Sequence, residues 1–265
     1  DHFVLTPDED AGSLRMSRMI EEFVSMGYRV HFGAIQGQQS PKWLSQVCRL
    51  GVEVVVGVDA IKPLVARLKD QLDFVILSRP EVFAEMISVM WLLAPAVPVA
   101  YDMVDAHGLR LRRKYEMSKL PFDLKSAEHI ELVEIKSAKA ADVVIGVSQA
   151  DLDHLRNNTG ENFEGVVVPT VHYGHEKSTE GFNDRKGILF VGGFQHDPNV
   201  AAAKELVNVI MPKVWDVLGP IPITIAGSRP TAEVLELASG TVRVCGWVED
   251  LGPLYDQSRL FVAPL

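Results

Sequence analysis

The sequence predicts an α/β protein of two Rossmann-like, doubly wound parallel-sheet domains, the second incomplete as written. Three observations predict it. Short apolar, β-branched runs alternate with stretches of helical period along most of the chain, the rhythm of strands buried on both faces by crossover helices. The rhythm lapses once, after Pro169, and restarts at Gly187. At 265 residues the chain is long enough for two separate cores.

In the first half, strands are expected at "YRVHFGA" (28–34), "VEVVVG" (52–57), "DFVILS" (73–78), "VPVAYDM" (97–103), "DVVIGVS" (142–148) and "GVVVP" (165–169). Before the first of them, Met16, Met19, Ile20, Phe23 and Val24 recur at helical spacing, with Ser13 as the expected N-cap and Gly27 as the stop. Further helices are expected over 41–50, 59–71, 80–94, 124–141 and 149–158. The chain opens on "DHFVLTPDEDAGS", which reads as the exit of a strand and not as a signal peptide; a first strand is expected to lie upstream. "TVHYGHEKSTEGFNDRK" carries neither period and reads as a linker. The expected organisation is an N-terminal domain over 1–170, a linker over 171–186 and a partial C-terminal domain over 187–265. In the latter, strands "GILFVG" (187–192), "IPITIAGS" (221–228), "TVRVCGW" (241–247) and "RLFVAPL" alternate with a helix on Ala203, Leu206, Val207, Ile210 and Val214 and with shorter helices near 230–239 and 250–258.

Composition narrows the function. A formal charge of −9 and a pI near 5.4 leave no basic footprint, which argues against nucleic acid as a partner. The longest uncharged stretch, Met86 to Tyr101, is too short to span a bilayer and contains Pro95 and Pro98. Cys48 and Cys245 form no disulfide framework and suit a reducing, cytoplasmic compartment; both read as small buried residues.

The chemistry is expected at strand exits, where parallel sheets bind ligands against helix N-termini. In "FVGGFQHDPN" (190–199), Gly192 and Gly193 remove side chains beside a phosphate or diphosphate path; Asp197 suits a cap and Pro198 the first turn. The alternative is a tight turn that needs glycine for its own geometry. "IAGSRP" (225–230) offers Arg229 to an anion, and "GWVED" (246–250) ends its strand on a glycine and an aromatic. Neither G-x-G-x-x-G nor G-x-x-x-x-G-K-[ST] is present, so neither an NAD fingerprint nor a P-loop is supported. In the first half, Gly12 and Ser13 open a helix with Arg15 just inside it, on the side expected to face the interdomain cleft. Asp105 and His107 follow a strand, succeeded by Arg110, Arg112 and Arg113. The His suits hydrogen bonding near a reacting group and the Arg cluster an anionic acceptor; the other reading is a helix cap and a solvated charge run. His172 and His175 are a weak metal candidate. The helix over 128–142 could turn Glu131 or Glu134 toward the cleft, but the preferred reading is a solvated helix face.

These segments, "TPDEDAGSLRM", "YDMVDAHGLR", "AADVVIGVS", "GILFVGGFQHDPNV", "IAGSRP" and "VRVCGWVEDLGPLYDQSRLFVAPL", resemble in order those of retaining GT-B glycosyltransferases of the group 1 type, glycosyltransferase family 4, over nearly the whole chain. The resemblance implies transfer of a sugar, with retention, from a UDP- or GDP-linked donor to a glycan, lipid or protein acceptor in bacterial surface polysaccharide or glycoconjugate synthesis. It implies no cofactor and no bound metal. Donor contacts would come from Gly12, Gly192, Gly193, His196, Ser228, Arg229, Trp247 and Val248. His107, with Asp105, would sit near the reacting anomeric carbon. Arg15, Arg110 and Arg113 would face the acceptor, and the location would be cytoplasmic or peripheral to the inner face of the membrane. The chain departs from the family in carrying Phe194, Gln195, His196 and Asn199 where many members have an Arg and a Lys. The family's two glutamates, eight positions apart, would follow the last strand here, so the chain reads as a fragment truncated at both ends. Two other readings stay open: a non-catalytic nucleotide-sugar-binding module of a larger protein, and a sugar-nucleotide epimerase of the same fold.

Overall fold

The computed structural model describes residues 1–7, 10–37, 41–170 and 181–264. The chain forms two compact units, Asp1–Val171 and His172–Leu265. Residues 171–180 of the expected linker, with His172 and His175, lie outside the described residues.

The first unit runs α1 (Ala11–Ser25), β1 (His31–Ala34), α2 (Pro41–Arg49), β2 (Glu53–Val56), α3 (Val58–Leu68), β3 (Val75–Ser78), α4 (Pro80–Leu93), β4 (Val99–Asp102), α5 (His107–Ser118), α6 (Pro121–Ala140), β5 (Val143–Gly146), α7 (Gln149–Thr159) and β6 (Gly165–Val167). Its strands pair in parallel, in the order β3-β4-β5-β6, with β1 and β2 as a separate parallel pair. An apolar cavity of about 410 Å³ lies between β1 and β3, walled by α1 and α4 through Met16, Ile20, Met86 and Met90. The main core packs α4 on β3 and β4, with Phe83 edge-on to the fully buried Tyr101 at 5.2 Å; burying two such aromatics contributes several kcal/mol.

The second unit runs β7 (Ile188–Val191), α8 (Asp197–Glu205), α9 (Met211–Leu218), β8 (Ile223–Ala226), α10 (Ala232–Leu235), β9 (Val242–Gly246), α11 (Gly252–Gln257) and β10 (Leu260–Phe261), in the parallel order β10-β7-β8-β9. A π turn over Leu206–Ile210 joins α8 to α9. It falls just before Pro212, which has no N–H for the carbonyl four residues back, so the helical ladder loosens there. Phe190, Leu206, Met211 and Ile225 lie at the centre of this core.

Four local expectations differ from what is found. The N-cap of α1 is Asp10, whose Oδ1 accepts the Ser13 N–H at 2.8 Å; Ser13 is itself helical and buried, because the first turn starts at Ala11. Asp197 is the first residue of α8, after His196, and does not cap it. Cys48 is exposed and Cys245 half-buried, because Cys48 falls on the outer face of α2. The helix expected near 230–239 is a single turn, capped by Thr231.

Candidate functional site

In the second unit the exits of β7, β8 and β9 are tied together by backbone groups. Gly192 N–H donates to the Ala226 carbonyl (3.1 Å), Phe194 N–H to Ser228 (3.0 Å) and Gly227 N–H to Gly246 (2.8 Å). Gly227 has φ +152°, and a Cβ there would run into the Gly192 carbonyl oxygen, so this glycine is required by the approach of two loops. Gly192 is bare for another reason: a Cβ would stand 2.9 Å from Cγ of Asn199, whose amide donates to the Gly193 carbonyl at 2.8 Å. Asn199, in the first turn of α8, therefore braces the loop. Phe194 turns inward, 2% exposed and stacked on Phe190. It anchors the loop to the core and leaves the chain on either side to face outward.

Those outward residues include several expected at a donor. His196 and Arg229 are exposed, Ser228 and Val248 half-buried, and Trp247 is 50% exposed despite its indole. Arg229 holds a left-handed φ of 51°, uncommon for a residue with a side chain and a form of local strain that collects at functional sites. The unit thus brings Gly192, Gly193, His196, Ser228 and Arg229 onto adjoining loops at one sheet edge, with β9 leading to Trp247 and Val248 beside them.

The first unit ends its strands differently. Arg15 lies in the interior at 2% exposure, where its Nη1 donates to Oδ2 of Asp102 (2.8 Å) and its Nε to the Val168 carbonyl (2.9 Å). The same Asp102 oxygen accepts the Ser78 hydroxyl at 3.0 Å. Expected at the acceptor, Arg15 is instead committed to a buried ion pair, because the start of α1 turns it toward the end of β4. Gly12 packs against two residues at strand exits: its Cβ would lie 2.9 Å from Nη2 of Arg79 and 3.2 Å from Cγ1 of Val104. Arg79 and Val104 both have positive φ, 82° and 62°, and for a β-branched valine that is a marked outlier.

His107 opens α5 and is buried, with Nδ1 2.9 Å from the Asp105 carbonyl. Burial pushes its pKa below the usual histidine value, against the raising effect of Asp105. The Asp105 carboxylate lies in the half-exposed ion pair with Arg110 (2.7 Å), and Arg113 is exposed further along α5. Beneath the first turn of α5 lies Glu134 of α6, 2% exposed, with Oε2 3.2 Å from the Gly108 nitrogen. Burial pushes its pKa up to about 7. Glu131 instead pairs with Arg112 and is half-buried. The solvated face expected for both glutamates holds for neither; the signal that could have found Glu134 is Ala106, an N-cap without a side-chain acceptor. Sequence reasoning also missed Arg79 and Val104, whose backbone strain has no residue-type signature, and gave Asn199 no bracing role.

Among the described residues no cluster of three or more His, Cys, Asp or Glu could hold a metal ion, and no helix is long and apolar enough to cross a membrane. Residues 185–265 match the family model described as glycosyl transferases group 1. No curated protein matches the chain. Among solved structures the chain is similar to sucrose-phosphate synthase from Thermosynechococcus elongatus, with TM-score 0.62 and 14% identity over 95% of this chain and 69% of that one. It is also similar to the apo lipopolysaccharide outer core galactosyltransferase WaaB, with TM-score 0.58 and 13% identity over 96% and 69%. A third likeness is to a protein from Listeria monocytogenes described as a UDP-N-acetylglucosamine 2-epimerase, with TM-score 0.52 and 12% identity over 96% and 71%. These identities carry the fold: two Rossmann-like α/β units of the GT-B kind.

Proposed function

We propose that this chain is a glycosyltransferase, or the larger part of one, that moves a sugar from a UDP- or GDP-linked donor to a glycan, lipid or protein acceptor with retention of anomeric configuration. The observation that carries the reading is the joined set of loops after β7, β8 and β9: small residues and backbone groups at the exits of adjacent parallel strands, the setting in which α/β sheets take nucleotides. The match of residues 185–265 to the group 1 model falls on the same loops. In this reading the donor diphosphate lies along Gly192 and Gly193 with His196, Ser228 and Arg229 beside it, and Trp247 and Val248 meet the base. His107, with Asp105, faces the reacting carbon in company with Gly12, and Arg110 and Arg113 face the acceptor. Arg15 takes no part beyond holding β4. Backbone dipoles and cationic side chains stabilise the leaving diphosphate without a metal, and the enzyme works at the cytoplasmic side of a bacterial membrane in surface glycoconjugate synthesis.

The test is calorimetric titration of the 265-residue chain with UDP, GDP and dTDP and their sugar conjugates, in the presence of a chelator. Saturable binding of one nucleotide, followed by transfer to an acceptor with the product anomer read by proton NMR, is the expected result. No binding to a folded chain overturns the donor site; an inverted product overturns retention. Epimerisation of the donor is a second reading, supported by the likeness to the Listeria protein; loss of the donor sugar's configuration without any acceptor would favour it.

A further inference from the structure

The first turn of α5 has a cap that its own sequence cannot supply. Ala106 precedes it and offers no side-chain acceptor, yet helix N-termini leave N–H groups to be satisfied. Glu134 reaches in from α6 instead, its Oε2 accepting from Gly108 N–H at 3.2 Å. Gly108 makes this possible, since a Cβ there would stand 2.7 Å from that oxygen and 2.5 Å from Cγ of Glu131. The second oxygen, Oε1, is buried, has no hydrogen-bond partner among the described residues, and lies 4.0 Å from Nδ1 of His107. The Tyr101 and Ser137 hydroxyls are buried without hydrogen-bond partners among the described residues as well. A buried carboxyl oxygen left unpaired is costly and asks for a reason.

We propose that Glu134 is a positioning residue for His107: from beneath α5 it holds the imidazole with Nδ1 inward as the donor and leaves Nε2 as the ring's acceptor. The inward nitrogen already meets the Asp105 carbonyl at 2.9 Å, and an imidazole that donates from one nitrogen accepts at the other. When Nε2 takes a proton, the ring becomes a cation 4.0 Å from Oε1, and ionisation of Glu134, with its proton released to solvent, balances that charge. On this proposal the 4.0 Å separation makes the two groups titrate as a pair. The charges around them are Asp105 and Arg110 at the start of α5, Glu81 on α4 and Glu131 on α6, with the Tyr101 hydroxyl on β4. The bearing on catalysis rests on the transferase reading; the bearing on His107 does not.

The test is a pH titration of the histidine ring signals in the isotope-labelled 265-residue chain, with His107 assigned from His107→Gln. In the unaltered chain His107 is expected as the Nδ1–H tautomer, with a second inflection where Glu134 ionises, at about pH 7. Glu134→Gln is expected to abolish that inflection while leaving the other histidine signals in place. A single inflection in the unaltered chain, or identical curves in both proteins, overturns the proposal, and the first of these decides it even if the variant fails to fold. Where a donor and acceptor have been found, Glu134→Gln should also lower kcat about tenfold without raising KM for the donor, with partial recovery in Glu134→Asp. If the ring titration responds but no donor binds, the transferase reading fails and the positioning role stands.

Discussion

At the exits of β3 and β4 the first unit buries charge: Arg15 against Asp102, and Glu134 behind His107. At the exits of β7 and β8 the second unit brings together backbone amides, carbonyls and bare Cα atoms, braced by the Asn199 amide, with His196 and Arg229 exposed. Both are parallel sheets of four strands, so the contrast lies in the loops. A buried charge is intolerant of losing its partner, whereas a packed backbone is intolerant of gaining an atom. The two exits should therefore break under opposite kinds of substitution.

The largest effect is expected from Arg15→Met. It leaves Asp102 with no exposure and no side-chain ion pair among the described residues, with the Ser78 hydroxyl and a long 3.4 Å contact from the Val104 N–H as remaining donors there. Removing one partner of a buried pair costs about 3–5 kcal/mol. Hydrogen exchange resolved by peptide should show α1 and β3 to β6 opening while the second unit keeps its protection. Adding Asp102→Leu should recover part of the loss, because a desolvated charge then no longer stands alone. If Arg15→Met costs less than about 1 kcal/mol, within the range of an exposed pair, charge does not hold this exit together.

Gly227→Ala is the corresponding change in the second unit, where one methyl group is enough. It meets the Gly192 carbonyl and must hold a φ of +152°. The expected cost is about 2–3 kcal/mol, confined in hydrogen exchange to β7, β8 and their exit loops. Ala226→Gly, one residue earlier and inside β8, removes an atom from the same strand and should cost about 1 kcal/mol. Equal costs for the two would mean that loop packing does not single out Gly227.

The strands were legible in the sequence because runs such as "DFVILS" and "DVVIGVS" need two apolar faces, and every expected strand is present with its ends trimmed. Part of the trimming is physical: Pro98, Pro169, Pro222 and Pro264 lie in the trimmed ends and have no N–H to give the ladder. The glycine loops were legible as loops but not in their reason: "GGFQHDPN" does not reveal that Asn199 fills the space beside Gly192, a contact across seven residues of chain. Arg15 and Glu134 were illegible as buried groups because a charged residue at helical spacing looks the same whether or not a partner waits below. Their partners, Asp102 and Gly108, are 87 and 26 residues away. What pattern reading gives is therefore the frame, while the choice between a solvated and a buried charge is made by contacts distant in sequence.

The smallest effect separates two reasons for the same glycine. If Gly192 is bare only to admit Asn199, Gly192→Ala should lower loop stability and nucleotide affinity in the unaltered chain, since the new methyl group sits 2.9 Å from the Asn199 amide carbon. In an Asn199→Ala background the amide is gone and only Cβ of residue 199, 3.1 Å away, still crowds the new methyl group, so the same substitution should then cost much less. Asn199→Ala alone should cost about 1 kcal/mol, one hydrogen bond to the Gly193 carbonyl, and weaken nucleotide binding a few-fold as the loop loses its brace. If the bare Cα also admits the diphosphate, the double substitution should lose affinity as sharply as Gly192→Ala does alone, because the ligand meets the methyl group in either background. Calorimetric affinities for the four proteins form a double-mutant cycle. A coupling energy near zero assigns the glycine to the ligand, and one that accounts for most of the effect of Gly192→Ala assigns it to Asn199.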